Sequence, residues 1–464
     1  MNGLSRVALA FTAFAERWLP DAFVFALAAT VLVFGAGLAV GVPAFELVKS
    51  WGNGFPDLLA FAMQMALVIV TGYVVASSRP VYRLICWVAD RCPRSPRGAV
   101  ATVAAFAMLS SWLNWGFSLI FSAILVRELA RRTRGVDYRA LGAASLLGLG
   151  SVWAQGLSGS AALQMATPKA LPEAVRNIIA NGDAIPHGLV DFSHTIFLWQ
   201  SLLSVLIEVV IVCALMWLAA PTGNAAKDAQ ALAIDLGRPL DETDALPPPS
   251  TPGERLEHSP FLLVCVVALG ATYLSRTLAG GVTTLTVNTI NLAMLLLGAL
   301  LHWTPARLMR AVRDATPATW GVILQFPFYA AIAGMIATTH LNEKIAHLFV
   351  SISSRASFPA LMSVYSALLG VFVPSGGGKW IIEAPYVIKA AHELRVHVGW
   401  VVACYDLGEA VANLVQPFWM LPVLALLGLR ARDVMGFTFL VFLVLLPLVL
   451  VLTTLLGATL PYPL

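Results

Sequence analysis

Long apolar runs recur along the whole chain and constrain its fold more than any other feature. About 20 apolar residues are needed to cross the hydrocarbon core of a bilayer as a helix. Lone strands cannot satisfy their backbone hydrogen bonds in lipid, so we expect these runs to be helical and the protein to be an all-α polytopic membrane protein. The runs are 21–42, 57–78, 98–126, 140–166, 195–219, 260–275, 283–301, 317–339, 359–388, 399–427 and 433–458.

The composition supports a membrane protein. Of the 464 residues, 59% are hydrophobic and 12% are charged, whereas a soluble domain carries about 25% charged residues. The net charge of +4 is explained by basic cytoplasmic loops, so the bilayer is the expected partner and no nucleic acid is needed. Run 21–42 is longer than a signal-peptide core and is predicted to be a retained span.

The five cysteines are scattered without a CxxC pair or a metal-ligand spacing, which predicts apolar packing, no disulfide and no redox role. No cofactor is expected. They are Cys86, Cys92, Cys213, Cys265 and Cys404.

Two segments, 95–132 and 359–391, are predicted to fold back inside the membrane as re-entrant hairpins. The centre of the first, 110–116, is polar and contains a glycine, and arginines flank both ends of the segment. The centre of the second is 373–380, with a proline and three successive glycines. Glycine costs about 1 kcal/mol and proline about 3 kcal/mol inside a helix, so a helix should stop there.

The distribution of basic residues orients the chain. With the N-terminus in the cytoplasm and each hairpin returning to its own side, most of the 29 Lys and Arg residues are cytoplasmic, as the positive-inside rule requires. Hairpin 95–132 then enters from the cytoplasm and hairpin 359–391 from outside, which predicts two inverted repeats in the bacterial cytoplasmic (inner) membrane. We predict repeat 1 at 1–220, a cytoplasmic linker at 221–259, and repeat 2 at 260–464.

Two further spans, 140–166 and 399–427, carry polar or small residues where leucine would cost less. Irregular backbone survives at this depth only where it is buried in protein or lines a wet cavity. We therefore expect two broken helices that converge with the hairpins on one site. Helix N-termini can receive a carboxylate there, and a Na⁺ ion is hypothesised at the hairpin tips near Asn114 and Ser375.

The candidate substrate- and ion-binding residues lie at the hairpin tips and the helix breaks, and none is assigned a catalytic role. For Asn114 and Gln155, an interhelical hydrogen bond is an equal alternative. For Ser158 and Ser160, close helix packing is the simpler explanation. The candidates are Ser111, Asn114, Trp115, Gly116, Gln155, Ser158, Gly159, Ser160, Pro374, Ser375, Gly376, Gly377, Gly378, Lys379, Glu409, Asn413 and Gln416.

Lys379 and Glu409 are ionisable groups within apolar runs, and each costs about 2.5–3.5 kcal/mol at a helix centre, which makes both functional candidates. Lys379 either contacts the substrate or pairs with Glu383, four residues further on. Glu409 either carries a coupling proton or is a structural hydrogen-bond partner.

Several of these segments resemble the bacterial short-chain fatty acid transporter family. The resemblance covers nearly the whole chain in family order. It rests on Trp51-Gly52, Leu59–Gly72, Asn114-Trp-Gly-Phe117, Phe326–Ala330, Val373–Trp380 with Ala384-Pro385, and Gln416-Pro-Phe-Trp419.

The resemblance implies uptake of acetoacetate- or butyrate-like monocarboxylates, coupled to H⁺ or Na⁺. It also implies an elevator-type carrier, in which a mobile hairpin domain slides against a scaffold, and a homodimer. The chain departs from the family pattern at Lys379, where an uncharged polar group is expected, and at Glu383, where Gln is more usual.

Three alternatives differ in what they require. A dicarboxylate or other organic-anion exchanger would use the same architecture. An integral-membrane acyltransferase would need a His-x4-Asp, Gly-x-Ser-x-Gly or metal cluster, and the sequence contains none. A pore would give flux without a coupling ion, and a receptor would give no flux.

Overall fold

The computed structural model describes residues 3–18, 22–166, 189–237, 248–279, 287–340, 347–373 and 376–464. This part of the chain is helical and contains no β-strand, which confirms the all-α prediction. Many of the large apolar side chains point outward, such as Phe261 at 69% and Leu269 at 74% exposure. Such a surface suits lipid rather than water.

The first half of the described chain contains ten helices. α5 is strongly bent away from α4, with an angle of 77° between Ala62–Ser77 and Arg79–Arg91. The helices are α1 (Gly3–Trp18), α2 (Ala22–Ala39), α3 (Ala44–Gly54), α4 (Leu59–Ser77), α5 (Arg79–Arg91), α6 (Pro96–Leu113), α7 (Trp115–Arg132), α8 (Tyr138–Ser145), α9 (Ser160–Met165) and α10 (Trp199–Ala219).

The second half of the described chain contains ten further helices. α7 and its counterpart α17 are separated by 261 residues at both ends (376 − 115 and 393 − 132), and α3 and α14 keep the same interval. The helices are α11 (Pro252–His258), α12 (Phe261–Leu278), α13 (Val287–His302), α14 (Pro305–Ala315), α15 (Trp320–Thr339), α16 (Phe358–Phe372), α17 (Gly376–Glu393), α18 (Val398–Ala412), α19 (Leu421–Leu427) and α20 (Ala431–Gly457).

By length and composition, four helical segments of the described chain can cross a membrane: Trp199–Ala219, Phe261–Leu278, Pro305–Thr339 and Ala431–Gly457. The number rises to six if each of two bent helix pairs, formed by α1 with α2 and by α4 with α5, counts as one span. The chain is therefore a multi-pass membrane protein.

The helices α6 and α7 fold back on each other at Asn114. The Ser118 hydroxyl donates to the Ala107 carbonyl at 2.7 Å, although 11 residues of continuous helix would separate them by about 16 Å. Asn114 is extended at the turn, with φ −160° and ψ 121°. The predicted reversal of the chain at the centre of segment 95–132 is therefore present.

The helices α16 and α17 also fold back on each other. Lys379 Nζ donates to the Ser366 carbonyl at 2.9 Å, across 13 residues that would span about 20 Å of continuous helix. A helix stops at this centre as predicted, because α16 ends at Phe372, and the glycine triplet forms the first turn of α17, which begins at Gly376. The predicted candidates Pro374 and Ser375 lie outside the described residues.

Both predicted broken spans are broken. In 140–166, α8 ends at Ser145, a 3-10 turn covers Val152–Gln155, and α9 begins at Ser160. In 399–427, α18 ends at Ala412 and α19 begins at Leu421. We call residues 156–159 break 1 and residues 413–417 break 2.

The helices pack in two groups. The helices α2, α3, α4, α13, α14 and α15 contact one another, and the paired contacts α3–α15 and α14–α4 relate the two halves. In the second group, α10 packs on the hairpin helix α6, and α20 packs on the hairpin helix α16. The two groups meet where α4 contacts α7 and where α15 contacts α19.

The first part of the predicted linker lies against the hairpin of α6 and α7. The Tyr138 backbone amide donates to the Lys227 carbonyl at 2.8 Å. The Arg127 and Arg131 guanidinium groups both donate to the Leu236 carbonyl. The linker prediction at 221–259 is not otherwise tested.

Candidate functional site

The tip of the first hairpin is held by its own asparagine and by break 1. Asn114 Oδ1 accepts from the Phe117 backbone amide at 2.9 Å and so caps the N-terminus of α7. The Trp115 amide donates to Ser158 Oγ at 3.1 Å, and the Leu157 amide donates to the Trp112 carbonyl at 2.8 Å. Asn114, Trp115 and Ser158 are therefore brought together as predicted.

Gly156 allows the backbone of break 1 to touch the backbone of the hairpin tip. A Cβ atom at this position would lie 2.2 Å from the Trp112 carbonyl oxygen and 2.7 Å from its Cα. No side chain fits in this space, so the glycine is required by close approach.

The turn Phe418–Met420, directly after break 2, meets the same hairpin tip from the other half of the chain. The Trp115 and Trp419 rings pack edge to face with centroids 5.1 Å apart. Asn413 Nδ2 donates to the Leu149 carbonyl at 3.3 Å. Gln416 Nε2 donates to the Tyr329 hydroxyl at 3.4 Å, which connects break 2 to α15.

The first turn of α17 contacts the other side of break 1. A Cβ at Gly376 would lie 3.4 Å from the Trp153 ring and 3.5 Å from Ser160 Cβ. Gln164 Nε2 donates to the Gly377 carbonyl at 3.0 Å. Both hairpins and both breaks therefore converge, and break 1 lies between the two hairpins.

A charged pair is buried directly behind the glycine turn. Lys379 forms an ion pair with Glu409, and the two residues are 4% and 1% exposed. Lys379 Nζ also lies 5.6 Å from the centre of the Tyr405 ring. The alternative pairing with Glu383 is wrong, because the Glu383 carboxylate accepts from Tyr365 while Lys379 reaches across to α18.

Several polar atoms beside this pair have no hydrogen-bond partner among the residues that the structure describes. They include the Tyr405 hydroxyl, Asp406 Oδ1 and Ser366 Oγ. Asp406 is fully buried, and its other oxygen accepts from the Ala161 amide at 2.8 Å. Because buried polar groups are normally satisfied, such atoms are candidates to bind a ligand.

The sequence analysis did not assign Tyr405, Asp406 or Ser366 to the site. Asp406 carried a detectable signal, because it lies one helical turn before Glu409 in an apolar span. Tyr405 and Ser366 carried no such signal, since a tyrosine or serine in a membrane helix is common.

The remaining candidates lie in or behind the same region. Ser111 is fully buried, and its hydroxyl has no partner. Gly116 packs on Val68 of α4. Gly159 precedes the first turn of α9, and Gly378 lies in the first turn of α17. Gln155 donates to Glu208 of α10 at 2.8 Å.

These residues place a cation, a glycine helix start and two aromatic rings close together. Lys379 carries a positive charge, and Gly376, Gly377 and Gly378 begin α17, so this turn has no side chain of its own before Lys379. The Trp153 ring lies near Gly376, and the Tyr405 ring lies near Lys379 Nζ.

Comparison with known proteins shows which family the chain belongs to. Residues 3–456 match the family described as short chain fatty acid transporter. A relative in Escherichia coli (strain K12), provisionally named a short-chain fatty acid transporter, is 38% identical over 438 residues, which are 94% of this chain and 96% of that protein. A relative in Haemophilus influenzae (strain ATCC 51907 / DSM 11121 / KW20 / Rd) with the same provisional name is 35% identical over 440 residues, again 94% and 96%.

Two solved structures have a partly similar shape. The YdaH transporter of Alcanivorax borkumensis has a TM-score of 0.46 and 16% identity, covering 94% of this chain and 97% of that chain. MtrF of Neisseria gonorrhoeae, described among antimetabolite efflux pumps, has a TM-score of 0.44 and 14% identity, covering 98% and 99%.

The family and the two sequence relatives are transporters, so this protein is a transporter and not an enzyme. The chain belongs to the short-chain fatty acid transporter family.

Proposed function

We propose that this protein is a secondary active carrier that takes up short-chain monocarboxylates such as acetoacetate and butyrate, coupled to H⁺ or Na⁺. It acts in the bacterial cytoplasmic membrane with its N-terminus in the cytoplasm, as the basic loops favour. The observation that carries this proposal is the buried Lys379–Glu409 pair behind the glycine turn of α17.

In the proposed binding mode, the substrate carboxylate and Glu409 compete for the Lys379 ammonium group. Without substrate, Glu409 neutralises Lys379. A substrate carboxylate at the first turn of α17 takes over part of this interaction and is also stabilised by the positive end of the helix dipole. Desolvating a carboxylate costs several kcal/mol unless it is paired, so both partners are needed.

The proposed architecture has two inverted repeats with re-entrant hairpins, and the hairpin domain moves against a scaffold. The constant 261-residue interval between α7 and α17 supports the repeats. The reciprocal contacts α3–α15 and α14–α4 suit a two-fold relation. The elevator motion and a homodimer rest on the resemblance to the carrier family alone.

A dicarboxylate carrier is the second candidate, because Lys379 adds a cation that the family pattern lacks at this position. Uptake of labelled butyrate, acetoacetate and succinate into proteoliposomes separates the two. We expect butyrate and acetoacetate to compete with each other and succinate to compete poorly. Preferential uptake of succinate would establish the dicarboxylate carrier instead.

The coupling ion is identified by imposing one gradient at a time. Proteoliposomes are diluted into medium with an inward Na⁺ gradient at equal pH, or with an inward H⁺ gradient without Na⁺. Protein-free liposomes measure the leak of the neutral acid through lipid. If butyrate flux depends only on the butyrate gradient and does not respond to the Na⁺ gradient or the H⁺ gradient, the protein is a pore and coupled transport is rejected.

We expect Asn114→Ala and Gln416→Ala each to lower butyrate uptake about tenfold while leaving the protein in the membrane. Asn114→Ala removes the cap of α7, which is worth about 0.5–2 kcal/mol, and frees the hairpin tip. Gln416→Ala removes the bond between break 2 and Tyr329. Initial uptake rates, normalised to protein in the membrane, test the prediction.

Asn288→Ala is the matched control, because Asn288 is an exposed asparagine of α13 that accepts from Gln64 outside the site. It should transport like the unchanged protein. Full uptake by both site variants would reject the proposed positions of the substrate contacts.

A further inference from the structure

A second buried carboxyl group lies outside the Lys379 cluster. Glu208 is near the middle of α10, an apolar helix of 21 residues that is long enough to cross the membrane. The side chain is 0% exposed. An ionised carboxylate at such a depth is expensive and is a functional candidate by default.

Glu208 is bound only by neutral groups. Its Oε1 accepts from Gln155 Nε2 at 2.8 Å and from Ser204 Oγ at 2.9 Å. Its Oε2 has no hydrogen-bond partner, and neither has Gln155 Oε1. Within the described chain, no Lys, Arg or His side chain forms an ion pair with it.

Three other buried carboxylates of the described chain are each paired with a cation. Glu409 is paired with Lys379, Glu128 with Arg131 and Arg132, and Asp137 with Arg139. A buried carboxylate without a cation is neutralised rather than left charged. Glu208 therefore has the surroundings of a group that takes up a cation from outside the chain.

The elements packed against α10 supply no competing charge near Glu208. They are α6, α20, α1 and the turn Val152–Gln155. The charged residues on these elements lie near their ends; for example, Arg97 contacts Trp217 near the far end of α10. Cys213 is the other titratable group on α10 beyond Glu208.

Glu208 is mechanically connected to the substrate site. Gln155 directly precedes break 1, and break 1 binds the hairpin tip through Leu157–Trp112 and Ser158–Trp115. A change of charge on Glu208 alters its hydrogen bonds to Gln155 and so acts on the segment between the two hairpins.

We propose that Glu208 is the coupling-proton site of the carrier. This inference rests on the proposed function. In each cycle, the Glu208 carboxylate accepts one proton from water on the side where the acid enters. The neutral carboxyl group crosses with the loaded hairpin domain, and the same proton returns to water on the other side as the acid leaves.

The two donors on Oε1 favour a proton over Na⁺. A Na⁺ ion binds oxygen lone pairs, whereas the Gln155 amide and the Ser204 hydroxyl both direct hydrogens at the carboxyl oxygen. Protonation adds a hydrogen to Oε2 and weakens, without removing, the two hydrogen bonds to Oε1, because they lose the charge of the acceptor.

Glu208→Gln tests the proposal, because glutamine keeps the shape and can still accept from Ser204 but cannot exchange a proton. Two assays are run in proteoliposomes with labelled butyrate and unchanged protein alongside. We expect the rate at which external butyrate exchanges for internal butyrate to stay within about threefold of that of the unchanged protein. We expect accumulation driven by an inward H⁺ gradient to fall at least tenfold, to the level of protein-free liposomes.

Ser204→Ala keeps the carboxyl group and removes one donor to it, so it tests the proposal even if Glu208→Gln is not recovered from the membrane. Losing a donor disfavours the charged form. The pH at which butyrate exchange is half-maximal should therefore rise. A merely structural Glu208 would lower the rate at every pH without moving this midpoint.

The outcomes separate the two proposals. Full H⁺-driven accumulation by Glu208→Gln, an unchanged midpoint in Ser204→Ala, or accumulation that needs Na⁺ and ignores the H⁺ gradient overturns the coupling role alone. If the unchanged protein neither exchanges nor accumulates butyrate or acetoacetate above protein-free liposomes, the proposed function fails, and the coupling role fails with it.

Discussion

Lys379→Met is expected to abolish butyrate uptake and to destabilise the folded protein by about 3–5 kcal/mol. Methionine fills a similar volume but leaves Glu409 buried, at 1% exposure, without its cation. Removing one partner of a buried ion pair costs this much because the other charge stays uncompensated. Uptake in proteoliposomes and thermal unfolding in detergent measure the two effects.

The double variant Lys379→Met with Glu409→Gln separates stability from function. No buried charge of the pair is left, and buried pairs replaced by neutral groups of similar volume often recover stability. We expect most of the lost stability to return while uptake stays at background. Recovery of uptake in the double variant would mean that the pair is structural and that the carboxylate binds elsewhere.

Gly156→Ala is expected to lower uptake more than tenfold and to destabilise the protein by about 1–3 kcal/mol, as overpacking commonly does. The added Cβ would lie 2.2 Å from the Trp112 carbonyl oxygen. The backbone must separate there, which breaks the Leu157–Trp112 hydrogen bond between break 1 and the hairpin tip.

Gly52→Ala is the matched control for this substitution. Gly52 lies in α3, and an added Cβ meets no atom within 4 Å. Alanine should stabilise this helix position by up to about 1 kcal/mol and leave uptake unchanged. Equal uptake by Gly156→Ala and Gly52→Ala would show that contact between break 1 and the hairpin tip is not needed for transport.

The helix interruptions could be predicted from the sequence because polar residues, glycine and proline stand out in apolar runs. Asn114 marks the first reversal of the chain. The breaks after Gln155 and after Asn413 were found by the same signal. Each interruption depends on the free-energy cost of placing glycine, proline or polar residues inside an apolar helix, and the local sequence shows that cost.

The partners of the buried charges could not be predicted in this way. Lys379 and Glu409 are 30 residues apart (409 − 379), and the local i,i+4 rule favoured Glu383 instead. The tertiary fold overrides that rule, because α18 packs on the hairpin helices and presents Glu409 to Lys379. Gln155 likewise joins Glu208 through a contact that sequence spacing does not reveal.

The point at which the next helix begins after the helix stop near the glycine triplet could also not be predicted from the sequence. A helix was expected to stop at 373–380 and does so, since α16 ends at Phe372, but the start of the next helix at Gly376 was not predicted. Tertiary contacts with Trp153 and Gln164 hold this turn and outweigh the low helix propensity of glycine. The triplet is therefore the first turn of a helix rather than a loop.

Binding of butyrate to purified protein, measured by isothermal titration calorimetry, tests the central claim most directly, because it depends on the site and not on coupling or orientation. We expect saturable binding to the unchanged protein, with acetoacetate competing. We expect no butyrate binding to the double variant Lys379→Met with Glu409→Gln, at a temperature where thermal unfolding shows that the variant is folded. Equal affinity of the two proteins for butyrate would contradict the assignment of this buried cluster as the carboxylate site.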